Sequence, residues 1–572
     1  VWLFLSADAG ARIGVAATRR EFEERLRANP YETLFFREGR EATVAALQAP
    51  RVRSLFVNGH TDASDFDDMA TQLLLAILPI GIHPAPADVL VVGYGAGVSA
   101  AAAAKVPDVR HVDVAEIEPA VLEAAPFFGH VNGGVERDPK VTVVADDARS
   151  FVGRSRRSWD VVVSEPSNPW RAGVANLYSA DFYRDLKRRL KPGGLLAQWM
   201  HLYDLDGATL RIVFRTLTAG FADVCVFWLD EGDIVLLASD TPIALRTERL
   251  RALLDGPFRA ARIRWMRLES ADDVWGRFLL DRAGILGLLS PADPVHDDDR
   301  PVLEFRAPRG AFRPDPLLAE RLLAWKLERG VALPGVAGPE PSEASRWLGV
   351  AGMYEQLGRG PEAAEAIRRA AESPSPFAKI RSAEIALSGR RVKEATDLMN
   401  SVVPALRGAS PDLARAFSYA EARFFALQGQ LDRARAAWER TGEFEGKAGL
   451  ELLAVLVASG QDEPALELAR RLLGAARLGG GVGAPEAVIV YEYLRDLAER
   501  PGGLAAAARL LETLPPPASG LPQEPRQRLL AALYERLSRP AEALLASERA
   551  RDTGVFDVDV LALRARALRA LG

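Results

Sequence analysis

The sequence predicts an α/β protein in which a small β-meander precedes a doubly wound parallel sheet and an all-α region follows it. Strand-like apolar runs alternate with helical segments between residues 86 and 243. Short strand-like runs with glycine and Asn-Gly turns occupy residues 31–60, and strand-like runs vanish beyond Pro316. The predicted domains are an N-terminal segment (1–30), the meander with a linking helix (31–85), the sheet domain (86–243), an irregular helical extension (244–315) and helical repeats (316–572).

Composition limits the function classes. The 572 residues suggest several domains, and 48% hydrophobic with 26% charged residues is ordinary for a globular protein. A net charge of -5 gives no general attraction to nucleic acid, so no nucleic-acid partner is expected. Six scattered histidines and one cysteine form no recognisable metal site. That cysteine, Cys225, lies in a strand-like run, which favours a buried inert thiol and a reducing, cytoplasmic compartment.

The first 30 residues carry little information. A helical piece over Thr18–Ala28 must end before Pro30. No apolar run reaches the length of a membrane helix, and no complete signal peptide is visible. The apolar start Val1–Leu5 is compatible with the end of a hydrophobic segment cut away upstream, although five residues are too few to show one.

The meander is predicted to contain three short strands. They cover Thr33–Glu38, Ala42–Leu47 and Val52–Val57. A turn at Gly39 follows the first strand, and the third ends at Asn58-Gly59. A helix over Met69–Leu78 then leads into the first strand of the main sheet.

Seven strands are predicted for the main sheet. Runs such as Val161–Val163 suit parallel strands covered on both faces. The last two strands, joined at Asp230–Asp233, look like an antiparallel hairpin at the sheet edge. This arrangement is typical of transferases that use S-adenosyl sulfonium compounds. The predicted strands are 88–92, 110–115, 141–145, 159–164, 194–199, 223–229 and 233–238.

The C-terminal region is rich in alanine, leucine, glutamate and arginine. Tyr354–Gly358 followed by Glu362–Ala366 reads as a helix–turn–helix unit. The pattern resembles degenerate tetratricopeptide-type repeats, which present concave surfaces to protein partners. Further turn signals occur at Leu387–Gly389, Leu427–Gly429, Ala458–Gly460 and Leu537–Arg539, and interruptions at Gly479–Gly483 and Pro515–Pro517.

A glycine turn follows the first predicted strand of the sheet. Gly93, Gly95 and Gly97 lack side chains, so a ligand can approach the N-terminus of the next helix closely. Glu116 ends the second strand, 19 residues beyond Gly97, about where an acid binds ribose in nucleotide-binding βαβ units. The pair predicts a nucleoside-bearing ligand.

Glu165 and Asn168 follow the fourth strand. Ligands of open α/β sheets lie at the carboxyl ends of strands, so these side chains are expected to face the reacting group. Glu165 is the candidate general base and Asn168 an orienting acceptor. In the alternative interpretation Pro166 and Pro169 make a rigid loop, and Glu165 caps a neighbouring element.

Polar residues also follow the third and fifth strands. Asp146 and Asp147 suit a hydrogen bond from an adenine amino group, or an N-cap of the following helix, and both roles can coexist. Gln198 is a further candidate for the cofactor site.

An acceptor pocket is predicted beyond the fifth strand. Its candidates are Trp170, His201, Tyr203 and Asp204, with Trp199 beside them. Trp199 and Tyr203 equally suit packing roles, and His201 is a weaker base candidate than Glu165 because nothing obvious orients it.

At these residues the sequence resembles the polyamine aminopropyltransferases, the spermidine and spermine synthase family. The resemblance runs from Thr33 to Pro242. It is greatest to a bacterial branch fused to membrane segments, through Ser164–Trp170 and Asp298–Phe305. A membrane segment upstream of Val1 would tether the protein to the inner face of the membrane.

The resemblance implies decarboxylated S-adenosylmethionine as co-substrate, a small amine or polyamine as acceptor, and no metal. Glu116 would hold the ribose hydroxyls and Asp147 the adenine. Glu165 occupies the place of the family's catalytic aspartate, and Asn168 that of its second aspartate. A carboxylate suits this chemistry because the attacking amine must lose a proton.

The chain also departs from the family. Ala96 stands where an aspartate usually binds the aminopropyl ammonium, and Thr71–Leu74 replaces a Tyr-x-Glu-Met segment at the acceptor site. Fewer acids weaken the recognition of a polycation, so the resemblance predicts adenosyl binding more firmly than polyamine specificity.

Two other functions are compatible with the sequence. The first is an S-adenosylmethionine-dependent methyltransferase, because Ser167–Trp170 has some similarity to an Asn-Pro-Pro-Tyr loop and Ala96 lacks the acid. The second is a catalytically degenerate transferase domain on a protein-binding repeat scaffold. The β-meander favours aminopropyl transfer over methylation, and the oligomeric state stays open.

Overall fold

The computed structural model of the chain describes most residues between 32 and 571. The predicted N-terminal segment and the turn signals at Gly389, Gly429, Ala458–Gly460, Gly479–Gly483 and Pro515–Pro517 lie outside the described residues. The described residues are 32–48, 52–171, 173–230, 232–268, 270–372, 374–388, 391–428, 430–441, 453, 456–457, 462–475, 490–491, 493–495, 497–498, 503–513, 523–551 and 558–571.

These residues divide into two compact units. One contains residues 38–43 and 67–382, and the other contains 32–37, 44–66 and the described part of 383–571. The strands are β1 Glu32–Glu38, β2 Thr43–Gln48, β3 Arg53–Val57, β4 His60–Ser64, β5 Asp88–Val92, β6 His111–Glu116, β7 Val141–Ala145, β8 Trp159–Ser164, β9 Leu190–His201, β10 Asp223–Asp230, β11 Asp233–Ser239, β12 Leu245–Arg246, β13 Phe278–Leu280 and β14 Val336–Ala337.

Helices cover the faces of the main sheet and form the C-terminal region. They are α1 Met69–Ile82, α2 Val98–Lys105, α3 Pro119–Ala124, α4 Gly129–Asn132, α5 Ala148–Arg154, α6 Ala180–Lys187, α7 Gly207–Gly220, α8 Thr247–Asp255, α9 Arg259–Arg264, α10 Arg282–Leu288, α11 Val302–Phe312, α12 Leu318–Glu328, α13 Glu343–Gln356, α14 Gly360–Glu372, α15 Pro376–Ser388, α16 Val392–Val402, α17 Pro411–Leu427, α18 Leu431–Arg440, α19 Asp462–Ala475, α20 Gly503–Thr513, α21 Gln523–Arg536, α22 Pro540–Arg551 and α23 Val558–Leu571.

The meander has four strands in the order β1-β2-β3-β4, where the sequence predicted three. The missed strand, β4, pairs antiparallel with β3 after a turn in which Asn58 and Gly59 have φ of 52° and 82°. Positive φ at both positions suits a tight hairpin turn. The apolar pattern missed β4 because its sequence, His-Thr-Asp-Ala-Ser, is largely polar.

The main sheet is a Rossmann-like α/β sheet with the strand order β7-β6-β5-β8-β9-β11-β10-β13. Strands β5 to β9 are parallel neighbours. Strand β11 pairs antiparallel with β9, and β10 pairs antiparallel with β11. The strand order reverses at β5, so its carboxyl end, beside that of β8, is where the fold opens a ligand crevice.

The sheet has eight strands, and the prediction of seven was wrong. The short strand β13 pairs antiparallel with β10, so the β10–β11 hairpin does not form the sheet edge as predicted. Three apolar residues are too few to show a periodic pattern, and β13 is therefore invisible in the sequence.

Helix α1 is buried along its whole length and continues through Pro79, beyond the predicted end at Leu78. The N–H of His83 donates to the carbonyl of Pro79, which closes the last turn. Proline removes one amide donor from a helix, but burial of all 14 residues holds this helix together.

The unit that contains the main sheet extends well into the helical region. Strands do not vanish beyond Pro316 as predicted, because β14 pairs with β12. Helices α13 and α14 form an antiparallel pair joined at Leu357–Arg359, and α13 packs on the 3-10 helix Ala271–Arg277. A Cβ placed on Gly276 would lie 2.6 Å from the Cα of Gly349, so the two backbones touch.

The C-terminal helices of the other unit pack their alanines and leucines into a continuous core, which includes Ala434, Leu468, Leu494, Leu511 and Leu533. Helices α21, α22 and α23 follow one another as packed neighbours. In the described part of the chain, no helix combines the length and apolarity needed to cross a membrane.

Candidate active site

The glycine turn connects β5 to α2 at the point where the strand order reverses. Gly93, Gly95 and Gly97 have φ of 89°, 53° and 80°, values that favour glycine. A Cβ on Gly93 would lie 2.7 Å from the carbonyl oxygen of Glu165. A Cβ on Gly97 would lie 2.8 Å from the ring of Tyr94. At two positions the missing side chain therefore makes room for the protein's own atoms.

Tyr94 is a residue that sequence analysis did not single out. Its side chain is buried against Gly97, and its hydroxyl donates to Oε2 of Glu136 at 3.2 Å. Burial, reinforced by Glu136, raises the pKa of Tyr94 far above its usual value, so the hydroxyl stays protonated and acts as a donor.

Glu116 ends β6 and is nearly buried. Its Oε2 accepts from the N–H of Tyr94 at 2.8 Å, and its Oε1 accepts from the N–H of Glu118 at 2.9 Å. Backbone amides therefore fix this carboxylate beside the glycine turn. The neighbouring Ile117 leaves 50% of its surface exposed, which places an apolar side chain next to an acid.

Glu118 has a structural role. Its carboxylate caps α3 through the N–H of Ala120 and accepts from the N–H groups of Glu41 and Ala42 at 2.7 and 3.0 Å. Burial raises the pKa of Glu118, but the backbone amides that donate to it lower the pKa more, so the net pKa lies below its usual value. This acid anchors the loop between β1 and β2.

Asn132 supports the glycine turn from behind. Its Nδ2 donates to the carbonyls of Ala96 and Ala125 at 2.9 and 3.3 Å, and its Oδ1 accepts from the N–H of Gly134 at 2.7 Å. The side chain is buried. The sequence offered one weak signal for it, an asparagine directly before two glycines.

The two acids after β7 have local partners. Asp147 caps α5, accepting from the N–H of Ser150 at 2.8 Å, as one of its two predicted roles required. Asp146 pairs with Arg154, and its N–H donates to the carbonyl of Glu116. The predicted adenine contact of these acids stays a prediction.

Glu165 follows β8 and lies directly beside the glycine turn. Its N–H donates to the carbonyl of Val92, the last residue of β5. Its Oε2 accepts from the hydroxyl of Ser99 at 2.6 Å, and Ser99 Oγ also lies 2.9 Å from the carbonyl of Gln72 in α1. The carboxylate is thus held at the first turn of α2, and it is only partly buried.

The aromatic candidates gather at the end of β9. The ring of His201 lies 4.6 Å from that of Trp170, 4.8 Å from Tyr203 and 5.4 Å from Trp199 between centroids. Neither ring nitrogen of His201 has a hydrogen-bond partner among the residues that the structure describes. Burial lowers the pKa of His201 to about 3, so this imidazole is neutral.

The remaining predicted residues differ in exposure. Gln198 is fully buried, and its Nε2 donates to the carbonyl of Trp199, which also accepts from Tyr178. Tyr203 is 47% exposed, and Asp204 lies exposed in a turn with φ of 47°. Asn168 accepts from the N–H of Arg171 through its backbone carbonyl, which closes the loop after Glu165.

Asp233 is a buried acid that sequence analysis missed. It begins β11 opposite His201, and its Oδ2 accepts from the hydroxyl of Thr71 at 2.7 Å. Burial raises the pKa of Asp233 well above its usual value, and the charges of Asp68, Asp230 and Glu165 add to this effect. In the sequence, Asp233 looks like a turn residue between two strands.

The structure therefore brings Glu165, the glycine turn, Glu116 and the aromatic cluster to the carboxyl ends of neighbouring strands. The described residues contain no group of three or more His, Cys, Asp or Glu side chains arranged to hold a metal ion.

Comparison with known proteins gives one family match. Residues 69–216 match the family model described as "Spermine/spermidine synthase domain". The chain is 33% identical over 162 residues to a "Spermidine synthase" of Dictyostelium discoideum, covering 27% of this chain and 56% of that protein. It is 24% identical over 208 residues to a "Polyamine aminopropyltransferase" of Streptococcus uberis, covering 36% of this chain and 72% of that protein.

Solved structures of low similarity were also found. Spermidine synthase from Thermotoga maritima superposes with a TM-score of 0.34 at 19% identity, covering 38% of this chain and 78% of that chain. Human methyltransferase-like protein 13 superposes with a TM-score of 0.26 at 22% identity, covering 30% of this chain and 81% of that chain. The match to the Dictyostelium protein spans just over half of that relative's length.

Proposed function

Because residues 69–216 carry a spermidine synthase-type domain, we propose that the protein transfers an aminopropyl group from decarboxylated S-adenosylmethionine to an amine. The observation that carries the proposal is the position of Glu165. Its carboxylate lies 2.6 Å from Ser99 Oγ, next to the glycine turn at the reversal of strand order. A base at this point faces the group attached to a nucleoside bound at the turn.

The proposed nucleoside site lies along the carboxyl ends of β5, β6 and β7. Glu116, fixed by two backbone amides, would accept hydrogen bonds from the ribose hydroxyls. The exposed side chain of Ile117 offers an apolar surface to the adenine, and Asp147 would accept from its amino group. Gly95, the glycine of the turn with φ of 53°, leaves the turn open to the ligand.

The proposed chemistry is a single displacement. The nitrogen of the acceptor amine forms a bond to the methylene carbon next to the sulfonium, and the carbon–sulfur bond breaks. Its electron pair stays on sulfur, so methylthioadenosine leaves as a neutral thioether and needs no proton. The ammonium so formed loses its proton to Glu165. Positioning the two reactants and accepting this proton are the contributions of the chain's own residues.

The acceptor is proposed to bind against Trp170, His201 and Tyr203. Aromatic faces attract ammonium groups, and Tyr203 leaves 47% of its surface available. His201 is neutral, so it carries no positive charge that would repel an ammonium group. Ala96 and the segment Thr71–Leu74 carry no carboxylate at positions where the family's acids are expected, which supports a small amine more than a long polycationic acceptor. Asn168 would orient the amine, and Gln198 would support the pocket wall.

A methyltransferase is the second candidate, and Ala96 is the observation that favours it. Ala96 is fully buried, and its carbonyl is bound to Asn132. No carboxylate is therefore available at this position to bind the ammonium of an aminopropyl donor.

For the rest of the chain, we propose the domain limits given by the sequence, with tetratricopeptide-like repeats in residues 316–572 that bind a protein partner. A degenerate transferase domain serving this scaffold is the non-catalytic alternative. The single buried cysteine supports a reducing compartment.

The test uses both sulfonium donors and a panel of amines. Release of methylthioadenosine together with an aminopropylated amine would support the proposal. Release of S-adenosylhomocysteine would support methylation instead, and the absence of both products with bound nucleoside would support the scaffold role.

A further inference from the structure

Helix α13, the first helix of the helix–turn–helix pair α13–α14, packs tightly within the unit that contains the main sheet. A Cβ on Gly276 would lie 2.2 Å from the carbonyl oxygen of Arg346, and one on Gly349 would lie 2.3 Å from that of Asp273. Backbone contacts this close leave the helix one register against the 3-10 helix Ala271–Arg277. The last residue of α13 is therefore placed at a fixed point of the sheet.

That last residue, Gln356, contacts β10 with both ends of its amide. Its Oε1 accepts from the indole N–H of Trp228 at 2.6 Å, and its Nε2 donates to Oδ1 of Asp230. Trp228 and Asp230 are 1% and 6% exposed. Losing the amide would leave the buried indole N–H of Trp228 without this acceptor and would remove one donor from the buried carboxylate of Asp230, which is costly.

The end of the β10–β11 hairpin connects this contact to the candidate site. The ladder is irregular between Trp228 and Asp230, and Asp230 then pairs with Asp233. Asp233 lies opposite His201 on the other side and binds Thr71 of α1. Gln356 thus holds the end of β10 that pairs with Asp233, and Asp233 lies opposite His201 of the proposed acceptor pocket. The proposed nucleoside side is held differently, by backbone contacts of β5, β6 and β8.

We propose that Gln356 is a positioning residue for the acceptor side of the candidate site, so that the C-terminal helical region supplies part of the enzyme's acceptor geometry. This inference rests on the proposed function. Gln356 itself touches no substrate; it acts through Asp230 and the hairpin on Asp233 and the aromatic cluster. Truncation before α13 would therefore damage acceptor binding rather than produce an independent catalytic domain.

The test compares two variants in the full chain. Gln356→Met keeps the length of the side chain and removes both hydrogen bonds. Gln356→Glu keeps an acceptor for Trp228 but sets a second carboxylate against Asp230. Gln428→Met, at an exposed turn of the other unit, is the matched control.

Gln356→Met should raise the KM for the amine about 10-fold, which corresponds to about 1.4 kcal/mol, because the end of β10 that aligns Asp233 loses both hydrogen bonds to the amide. The dissociation constant of methylthioadenosine should stay at the wild-type value, and Gln356→Glu should be the more damaging change. An unchanged amine KM in both variants would overturn the inference. An equal loss of amine and nucleoside affinity would also overturn it, because it would show a general structural role.

Hydrogen exchange separates this inference from the proposed function. If the wild-type chain aminopropylates no amine, the proposed function fails. Faster exchange confined to residues 223–239 in Gln356→Met would then still support the positioning role, and unchanged exchange there would refute it.

Discussion

Ser99 Oγ lies 2.6 Å from Oε2 of Glu165, which joins the first turn of α2 to the loop after β8. This contact holds an acid beside the carboxyl ends of β5 and β8, where the fold opens its crevice. Ser99 also lies 2.9 Å from the carbonyl of Gln72, so α1, α2 and the loop meet at one hydroxyl. The candidate base is therefore oriented by three elements of the fold.

Replacing Glu165 by glutamine should abolish most of the turnover while the protein still binds nucleoside. Glutamine keeps the shape but cannot accept the proton of the amine, and general-base catalysis typically contributes about 10²- to 10⁴-fold. Steady-state kinetics measures the turnover, and titration with methylthioadenosine measures the nucleoside affinity. Glu123→Gln, the same change at an exposed position of α3, should match the wild type in both. Full turnover in Glu165→Gln would remove this residue from the mechanism.

Replacing Ser99 by alanine should lower kcat while nucleoside binding stays at the wild-type level. The hydroxyl donates to Oε2 of Glu165 and orients the carboxylate that would accept the proton of the amine. A hydrogen bond to a charged group is worth about 1.5–3 kcal/mol, which corresponds to about a 10- to 100-fold loss of kcat. Ser99→Thr keeps the hydroxyl and should restore the wild-type kcat. Equal kcat values in all three proteins would contradict a role for this contact.

Replacing Glu116 by glutamine should weaken methylthioadenosine binding about 10- to 100-fold, because the carboxylate would accept two ribose hydroxyls through charge-assisted hydrogen bonds. Calorimetry or fluorescence titration measures this change. Glu118→Gln, two residues away, is the informative comparison, because the Glu118 carboxylate accepts from the backbone amides of Ala120, Glu41 and Ala42. It should bind nucleoside normally, and equal losses in both variants would argue against a ribose contact at Glu116.

Glu118→Gln should instead lower stability in a pH-dependent way. Since the folded protein holds the pKa of Glu118 below its usual value, the stabilisation by Glu118 is present above that usual value and is lost as the pH falls through the folded pKa. Thermal unfolding at several pH values should show a deficit at neutral pH that shrinks in acid. A constant deficit would mean that the charge does not matter.

Asp233→Asn should have the opposite pH dependence. The folded protein raises the pKa of Asp233 above its usual value, so the native state binds the proton of Asp233 more tightly than the unfolded chain does. This contribution to stability is complete below the usual pKa and is lost as the pH rises through the folded pKa. Asparagine still accepts from Thr71 but has no such proton. The variant should therefore lose the decline in stability with rising pH, and an unchanged decline would place its source elsewhere.

The positions that were predictable from the sequence follow a general rule of parallel sheets. Three recognisable apolar strands end at or directly before Gly93, Glu116 and Glu165. Parallel strands bring their carboxyl ends together, so these residues were expected to lie close to one another. Local pattern therefore indicated which residues would gather, although each of them belongs to a different βα unit.

What the sequence did not reveal depends on pairing between distant segments. Asp233 becomes a buried acid only because β11 inserts between β9 and β10. Gln356 lies 128 residues beyond Trp228 in the sequence and contacts it only because α13 packs close to β10. The roles of Tyr94 and Asn132 also depend on the folded structure. Gly97 leaves room for the ring of Tyr94, and the amide of Asn132 donates to the carbonyl of Ala96, 36 residues earlier in the chain. No local periodicity encodes such contacts.

The identity of the nucleoside product tests the proposed aminopropyl transfer most directly. Wild-type protein and Glu165→Gln should be incubated separately with decarboxylated and with carboxylated S-adenosylmethionine, each with the same panel of small amines, and the products separated by mass. We expect methylthioadenosine and an aminopropylated amine from the wild type with the decarboxylated donor, and a loss of both from the variant. Equal product from both proteins, or S-adenosylhomocysteine from the carboxylated donor with no product from the decarboxylated one, would refute this function.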